Sequence, residues 1–204
     1  MWQDKVTVIG VIIVLTLITI MLMIFMPNAT CFYSEEEIGY EFGSIAKKEI
    51  FEYVSDKIDK TGFDSNGTQV LYQNGQPQPA AYKHEYLYET LNCIHGIQTA
   101  FLQEIPKKTT KKKQKYHQGS APYANETIRC VLPMDVSGPK RSGIWVDGQQ
   151  KFFNEGEWVF YDNSKISQVY NKHKRNSSYI LVVDVTRPPS IPKGASSVTD
   201  SGLF

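Results

Sequence analysis

The chain has 204 residues, of which 41% are hydrophobic and 12% aromatic, and this composition supports one folded domain of ordinary size once any special segment is set aside. The net charge of +1 at pH 7 excludes a protein that is strongly basic or acidic as a whole. The three cysteines include no Cys-x-x-Cys pair, which argues against a zinc site and against a thiol redox motif.

An apolar segment, "VTVIGVIIVLTLITIMLMIFM", occupies residues 6–26 behind a short tail at residues 1–5. It carries no charge, and as a helix it would be about 30 Å long, the thickness of a bilayer's hydrocarbon core. A cleaved signal peptide is the alternative, but the segment is long for one and Pro27 to Thr30 is a poor cleavage site. The segment predicts a transmembrane anchor in contact with a lipid bilayer. The flanking charges favour a single-pass protein with a cytoplasmic N terminus and a lumenal or extracellular C-terminal domain.

Residues 27–93 predict a helical and irregular N-terminal part of the ectodomain. A helix is expected at about 45–59, where apolar residues recur at helical spacing after Ser44 as the N-cap. Asn74-Gly75 is typical of a tight hairpin turn. The stretch "HEYLYETLNCIHGIQTAF" fits either one helix or a helix that gives way to a strand near Ile97.

Two kinds of covalent modification are candidates. Tripeptides of the N-glycosylation pattern start at Asn28, Asn66, Asn125 and Asn176, in agreement with a lumenal or extracellular domain. Cys93 and Cys130 are the candidate disulfide pair because both fall in the folded part of the chain. Three buried thiols, with Cys31 as the third, are an equally open alternative.

A lysine-rich stretch, "KKTTKKKQK", is the main local concentration of charge. A solvated loop is the simplest interpretation, and a contact surface for anionic lipid or for an acidic, unidentified protein partner is the functional one. Nucleic acid is not an expected partner, since the stretch has no arginine or aromatic residue interleaved. The lysines that would form this surface are Lys107, Lys108, Lys111, Lys112, Lys113 and Lys115.

Short apolar runs separated by turn residues fill the chain from Thr127 to Val185. Five or more such runs at roughly ten-residue spacing predict an antiparallel sandwich or barrel. The last run, from Tyr179, is almost continuously apolar and is therefore predicted to be a central strand. Pro188 and Pro189 end it, and the Ser/Gly/Pro-rich tail at 190–204 is expected to be extended or flexible.

The order of three stretches, "HQGSAPYANETIRCVL", "WVDGQQKFFNEGEWVFYDNSKISQVYN" and "SYILVVDVTRPP", resembles the catalytic domain of the aspartyl/asparaginyl β-hydroxylase family. That family's pattern runs through His-x-Gly, a Leu-Arg-x-His strand, Phe-Asp-Asp-Ser-x-x-His, and Arg-x-Ile-Leu-x-x-Asp-Val before a proline. The likeness covers about 80 residues, from His117 to Pro189, and is weaker back to Ile94. The resemblance implies a double-stranded β-helix, a cupin-like jelly roll, at residues 94–189.

The resemblance also implies descent from iron(II) and 2-oxoglutarate dependent dioxygenases. Such a metal needs open positions for oxygen and the keto acid, so few protein ligands are used, commonly two His with or without a carboxylate. His117 matches the first metal His, and Arg129 matches the strand arginine that approaches the keto acid. Three functional positions are lost, because Ser167 stands at the second metal His, Val131 at the strand His and Ser178 at the keto-acid Arg.

Three interpretations follow for function. The first is an inactive, membrane-anchored relative, kept as a structural or binding module without a cofactor; association with a virion membrane or capsid would suit it. The second is a working dioxygenase with Fe(II) and 2-oxoglutarate and altered ligands, such as His117 with His173 or Asp162, acting on Asp, Asn or Pro of a protein. In that case a rearranged loop could bring Arg175 toward the keto acid. The third is an unrelated glycosylated ectodomain.

Overall fold

The computed structural model describes residues 14–16, 31–39, 62–83, 85–109, 121–136 and 138–196. The chain divides into two compact units, Met1–Thr30 and Cys31–Phe204. The helix predicted at 45–59 lies outside the described residues and stays a prediction.

The predicted membrane anchor is not supported by the structure. Only residues 14–16 of the segment 6–26 are described, and they are helical. A membrane span needs about 20 consecutive apolar residues in one helix. None of the helices formed by the described residues has the length and apolar character to cross a bilayer. The prediction of a single transmembrane helix, and with it that of a single-pass membrane protein, is therefore wrong.

Among the described residues of the second unit, ten strands form two antiparallel sheets. The large sheet has seven strands in the order β1-β8-β5-β10-β4-β2-β3, and the small sheet has three in the order β7-β6-β9. The strands are β1 (Phe32–Tyr33), β2 (Thr68–Gln73), β3 (Gln76–Pro77), β4 (Ile97–Ile105), β5 (Thr127–Asp135), β6 (Ser142–Val146), β7 (Gln149–Phe152), β8 (Val159–Asp162), β9 (Ser167–Asn171) and β10 (Ser178–Thr186).

The strand β10 lies at the centre of the large sheet, as its apolar sequence predicts. It pairs with β4 on one side and β5 on the other, so that Val182 lies opposite both Phe101 and Val131. Its side chains alternate between two hydrophobic clusters, with Leu181 and Val183 in the first and Val182 in the second. Burial on both faces explains why this strand is continuously apolar instead of alternating.

Short helices border the sheets. α1 (Glu35–Ile38) starts at Ser34, which forms a capping box with Glu37, and it ends at Gly39 in the left-handed conformation. α2 (Glu85–Asn92) precedes β4, so the ambiguous stretch is a helix followed by a strand. α3 is Ala121–Glu126, and a 3-10 helix spans Ala81–Lys83.

The part of the chain before residue 94 contributes more strand than its composition indicates. β2 and β3 form the hairpin predicted at Asn74-Gly75, whose φ angles of 52° and 72° fit a type I′ turn. β2 also pairs with β4, so this part continues the large sheet. Two opposed antiparallel sheets agree with the expected double-stranded β-helix, and the fold is mainly β.

The cysteines differ from the predicted pairing, and the C-terminal tail is described as far as Ser196. Cys31 and Cys130 are buried, Cys93 is exposed, and all three are free thiols, so the predicted pair of Cys93 with Cys130 is not present. Cys130 is inside β5 and 0% exposed, while Cys93 follows α2 and is exposed. The tail is held as far as Ser196, whose backbone exchanges two hydrogen bonds with the Asn125 side chain at 2.7 and 3.0 Å.

Candidate functional site

A cavity of about 660 Å³ lies between the two sheets. Its walls come from β2, β4, β5, β8 and β10 of the large sheet and from β9 of the small one. The exposed lining residues Asp64, Asn66 and Gln73 precede or end β2, while β9 contributes the partly exposed Gln168. The cavity therefore opens between β2 and β9, with its back wall on the central strands.

The register of the large sheet arranges the back wall in three rows. Phe101, Val131 and Val182 face one another across β4, β5 and β10 and form an apolar row. Two residues further along β10, on the same face of the sheet, lies a polar row, in which Asp184 stands opposite both Thr99 and Arg129. Two residues in the other direction, Ile180 forms the third row with Gln103 and Thr68. The cavity is thus apolar at its middle row, the waist, and polar at both ends, of which the row of Arg129 and Asp184 forms the inner end.

The polar row is built around a buried ion pair. Arg129 is 4% exposed and Asp184 is 0% exposed. Nε and Nη2 of Arg129 donate to the two carboxylate oxygens of Asp184, each at 2.6 Å, in the bidentate geometry that suits a guanidinium. Burial alone would lower the pKa of Arg129, but the carboxylate of Asp184 outweighs it and raises that pKa. The bidentate contact therefore pairs the guanidinium charge with the carboxylate of Asp184.

Two tyrosines support the pair. The Tyr123 hydroxyl of α3 lies 2.8 Å from Thr99 Oγ1 and 3.0 Å from Asp184 Oδ2. Burial and the neighbouring Asp184 carboxylate raise the pKa of Tyr123, so its hydroxyl keeps its proton. Tyr161 of β8 lies opposite Arg129, and burial raises the pKa of its phenol although Arg129 and Ser167 both hydrogen-bond it. The inner end of the cavity is consequently a set of neutral hydroxyls around a neutralised ion pair.

Three of the residues singled out from the resemblance meet in this cavity. Arg129, Val131 and Ser167 all line it, so the positions matched by the resemblance lie in one site. Ser167 hydrogen-bonds the Tyr161 phenol, and Val131 packs in the apolar row. His117 lies outside the described residues, and its metal-binding role stays a prediction.

The described residues do not fit an iron site. The cavity lining described by the structure contains neither an imidazole nor a thiol, and no group of three or more His, Cys, Asp or Glu among the described residues could hold a metal. Ser167 offers a neutral hydroxyl where iron requires a stronger ligand. The carboxylate of Asp184, behind the lining, is occupied by Arg129.

The alternative ligands are engaged elsewhere. Asp162 accepts a hydrogen bond from Arg187 at 2.5 Å and one from the Ser164 hydroxyl at 2.7 Å. Burial would raise the pKa of Asp162, but these hydrogen bonds outweigh it and lower the pKa. His173 accepts the Asn176 backbone N–H at its Nδ1, 2.9 Å away, and is not part of the cavity lining. The structure brings neither residue to the cavity.

The keto-acid positions do not form a carboxylate site either. Ser178 is fully buried and shares a 2.8 Å hydrogen bond with Ser142. Arg175 is exposed and does not line the cavity. Arg129 is the one cation among the described lining residues, and Asp184 neutralises it. A dicarboxylate such as 2-oxoglutarate would therefore meet no cation whose charge is still available among the described residues.

The remaining predicted sites lie outside the cavity's inner part. Lys107 and Lys108 are exposed, while Lys111, Lys112, Lys113 and Lys115 lie outside the described residues, so the basic contact surface stays a prediction. Asn66 and Asn176 are exposed, as a glycosylation acceptor must be. The Asn125 amide is already hydrogen-bonded to Ser196, which does not favour glycosylation there.

Reasoning from sequence missed the partners of Arg129. Asp184 is the one charged residue within the apolar run of β10, and that departure from the pattern is a signal for a buried ion pair. Tyr123, Tyr161 and Thr99 carry no comparable signal, because hydroxyl-bearing residues are ordinary in strands and short helices. The strand register places Thr99 and Tyr161 in the row of Arg129, and two hydrogen bonds bring Tyr123 of α3 to it.

Comparison with known proteins gives a family and several partial structural similarities. The family model described as "Aspartyl/Asparaginyl beta-hydroxylase" matches residues 34–188. Comparison with curated protein sequences gives no match. A 2OG-Fe(II) oxygenase family oxidoreductase from Burkholderia pseudomallei is 11% identical, with a TM-score of 0.41 over 65% of this chain and 72% of that one. A prolyl-4-hydroxylase from Pseudomonas putida is 11% identical, with a TM-score of 0.40 over 72% and 89%. A cupin protein from Bacteroides fragilis is 13% identical, with a TM-score of 0.33 over 52% and 77%.

Proposed function

The chain belongs to the aspartyl/asparaginyl β-hydroxylase family, and from this premise we propose that it keeps the family's barrel as a ligand-binding module without iron-dependent hydroxylation. Fold and chemistry separate readily, since a β-barrel core is stabilised by packing while catalysis depends on a few side chains. The proposed binding site is the cavity between the sheets.

Ser167 is the observation that carries this proposal. It occupies the position of the family's second metal His, lines the cavity and hydrogen-bonds Tyr161. Loss of a group that merely orients a metal ligand costs roughly 10 to 100 fold in affinity, so replacement of a ligand itself should cost more. Val131 stands at the position of the family's strand His and supports the same conclusion, because an isopropyl group cannot coordinate a metal or donate a hydrogen bond.

The cavity itself supports a binding role. Its volume of about 660 Å³ falls in the range of roughly 300–1,000 Å³ that is usual for small-molecule sites. It combines an apolar waist with polar groups at both ends, which is also typical of such sites. Since large side chains could have filled the space, an open cavity in a well-packed barrel is consistent with a retained ligand.

The experiment titrates Fe(II) into the full chain under anaerobic conditions and measures binding by calorimetry. It compares the wild type with two histidine variants. Ser167→His restores an imidazole at the family's ligand position, while Ser190→His adds one on an exposed loop as the matched control. We expect no stoichiometric binding by the wild type and by Ser190→His, and tighter binding by Ser167→His alone. Stoichiometric Fe(II) binding by the wild type would overturn the proposal, and equal behaviour of the two variants would remove Ser167 from the ligand position.

A further inference from the structure

We propose that the cavity between the sheets takes an uncharged amphipathic ligand, with a polar head at the Arg129–Asp184 row and an apolar body along the row of Phe101, Val131 and Val182. This inference rests on the proposed binding role and adds the chemical class of the ligand. Arg129 matches the family's strand arginine that approaches the keto acid, and that match would indicate recognition of an anionic carboxylate. The ligand proposed here is uncharged instead.

The charges at the inner end carry the first step. Arg129 and Asp184 are both buried and joined by two 2.6 Å hydrogen bonds, so the described residues of the inner end carry no net charge. A carboxylate that leaves water needs a compensating cation or several donors, and a cation needs a carboxylate. With Arg129 already bound to Asp184, a charged head of either sign would lose its hydration without gaining a counter-charge.

The hydrogen-bonding groups around the pair carry the second step. Thr99, Tyr161 and Ser167 present hydroxyls at the same end of the cavity. Each hydroxyl is able to donate and to accept, which matches an amide, alcohol or similar neutral head better than an acceptor-only carboxylate. Gln103 adds a neutral amide at the opposite end. The polar groups are therefore suited to orient a ligand without attracting charge.

The apolar row carries the third step. Phe101, Val131 and Val182 are 7%, 1% and 2% exposed and stand side by side on the back wall. Burying an aliphatic chain against them is favourable in proportion to the apolar area that is removed from water. At the mouth, the exposed Asp64 is the only charged lining residue besides Arg129 within the part of the chain that the structure describes. Its carboxylate repels anions and is too solvated to draw a cation inward.

The test uses three probes with the same number of carbons, namely hexanamide, hexanoate and hexylammonium, titrated into the full chain at pH 7 with saturation-transfer NMR as the readout. We expect hexanamide to bind, and hexanoate and hexylammonium to bind on the order of tenfold more weakly or not at all. Binding of hexanoate or hexylammonium equal to or tighter than that of hexanamide would overturn the inference, and so would the absence of binding by all three.

Two variants locate the binding. Val70→Trp places a large ring at the mouth, where Val70 is 36% exposed, and it should abolish hexanamide binding. Gln149→Trp on the exposed strand β7 is the matched control and should leave binding unchanged. Hexanamide binding that survives in Val70→Trp would place the probe elsewhere and overturn the inference.

A third variant tests the charge argument directly. Asp184→Asn keeps the shape of the side chain and leaves the Arg129 charge without its counter-charge, so hexanoate should become the preferred probe. If this variant fails to fold, the wild-type probe series and Val70→Trp still decide the inference. Failure of the proposed function would appear separately, as Fe(II) binding in the titration of the wild type, which none of these probes involves.

Discussion

Replacing Arg129 with Met tests the buried ion pair of the barrel most directly. The change keeps most of the side-chain volume and removes the guanidinium that holds Asp184 through two 2.6 Å hydrogen bonds. Asp184 is 0% exposed, so water cannot reach the carboxylate that remains. Among the described residues, the Tyr123 hydroxyl, at 3.0 Å, is the hydrogen-bond donor that stays close to it.

The expected cost follows from this burial. Removing one member of a buried ion pair typically costs about 3–5 kcal/mol, because an uncompensated charge is left behind. The Tyr123 hydrogen bond is already made in the wild type, so it does not offset this cost. We therefore expect Arg129→Met to lower the free energy of unfolding by about 3 kcal/mol or more. The double variant Arg129→Met/Asp184→Leu should recover most of this loss.

Urea unfolding of the full chain, followed by the fluorescence of Trp145 and Trp158, measures the effect. The control is Lys193→Met, which removes an ion pair with Glu126 whose side chains are 69% and 58% exposed and which should cost less than about 1 kcal/mol. A loss below 1 kcal/mol in Arg129→Met, or strictly additive losses in the double variant, would refute the account of a neutralised, buried pair.

Three further predictions concern stability and thiol chemistry. The pKa of Asp162 is lowered in the folded chain by hydrogen bonds from Arg187 and Ser164 that outweigh its burial, so its stabilising effect is present above the unfolded pKa of about 4 and is lost as pH falls through the folded value. Arg187→Met should therefore lose less unfolding free energy than the wild type between pH 5 and pH 2 in urea titrations, and an unchanged slope would contradict this cause. Leu181→Ala removes a fully buried side chain from the central strand and should cost about 2–5 kcal/mol, whereas a cost under 1 kcal/mol would show that the strand is not central. Cys93 should react quickly with a thiol reagent while the other two cysteines react only on unfolding, since they are buried and burial raises the pKa of both thiols; an unreactive Cys93 would restore the predicted disulfide.

Much of the sheet could be predicted because burial on both faces marks a central strand. The run from Tyr179 to Val185 is apolar at nearly every position, and it pairs on both sides in the structure. The hairpin at Asn74-Gly75 could be predicted equally well, since few dipeptides adopt two positive φ angles without strain. Where periodicity is ambiguous, as before Ile97, sequence alone could offer two structures without choosing between them.

The apolar segment at 6–26 shows the limit of composition. Hydropathy and length fit a membrane span, yet none of the helices in the described part of the chain is suited to cross a bilayer. Hydropathy measures the preference of a segment for an apolar environment and does not establish which structure supplies it.

The site was predictable in part. The order of motifs places Arg129, Val131 and Ser167 in one cavity, but the role of Arg129 depends on Asp184, which lies 55 residues further along the chain. Pairing across that distance is set by the register of β5 against β10. A single sequence shows that Ser167 stands at one of the family's metal positions, and the register shows that Arg129 is paired with Asp184.

The most direct test of the central claim is a single assay of the purified full chain with Fe(II), ascorbate, oxygen and 2-oxoglutarate, in which succinate formation is followed by NMR. A reaction that lacks protein supplies the blank for this assay. The account predicts no succinate above that blank and no retained iron after gel filtration. Iron-dependent succinate formation together with stoichiometric retained iron would contradict it.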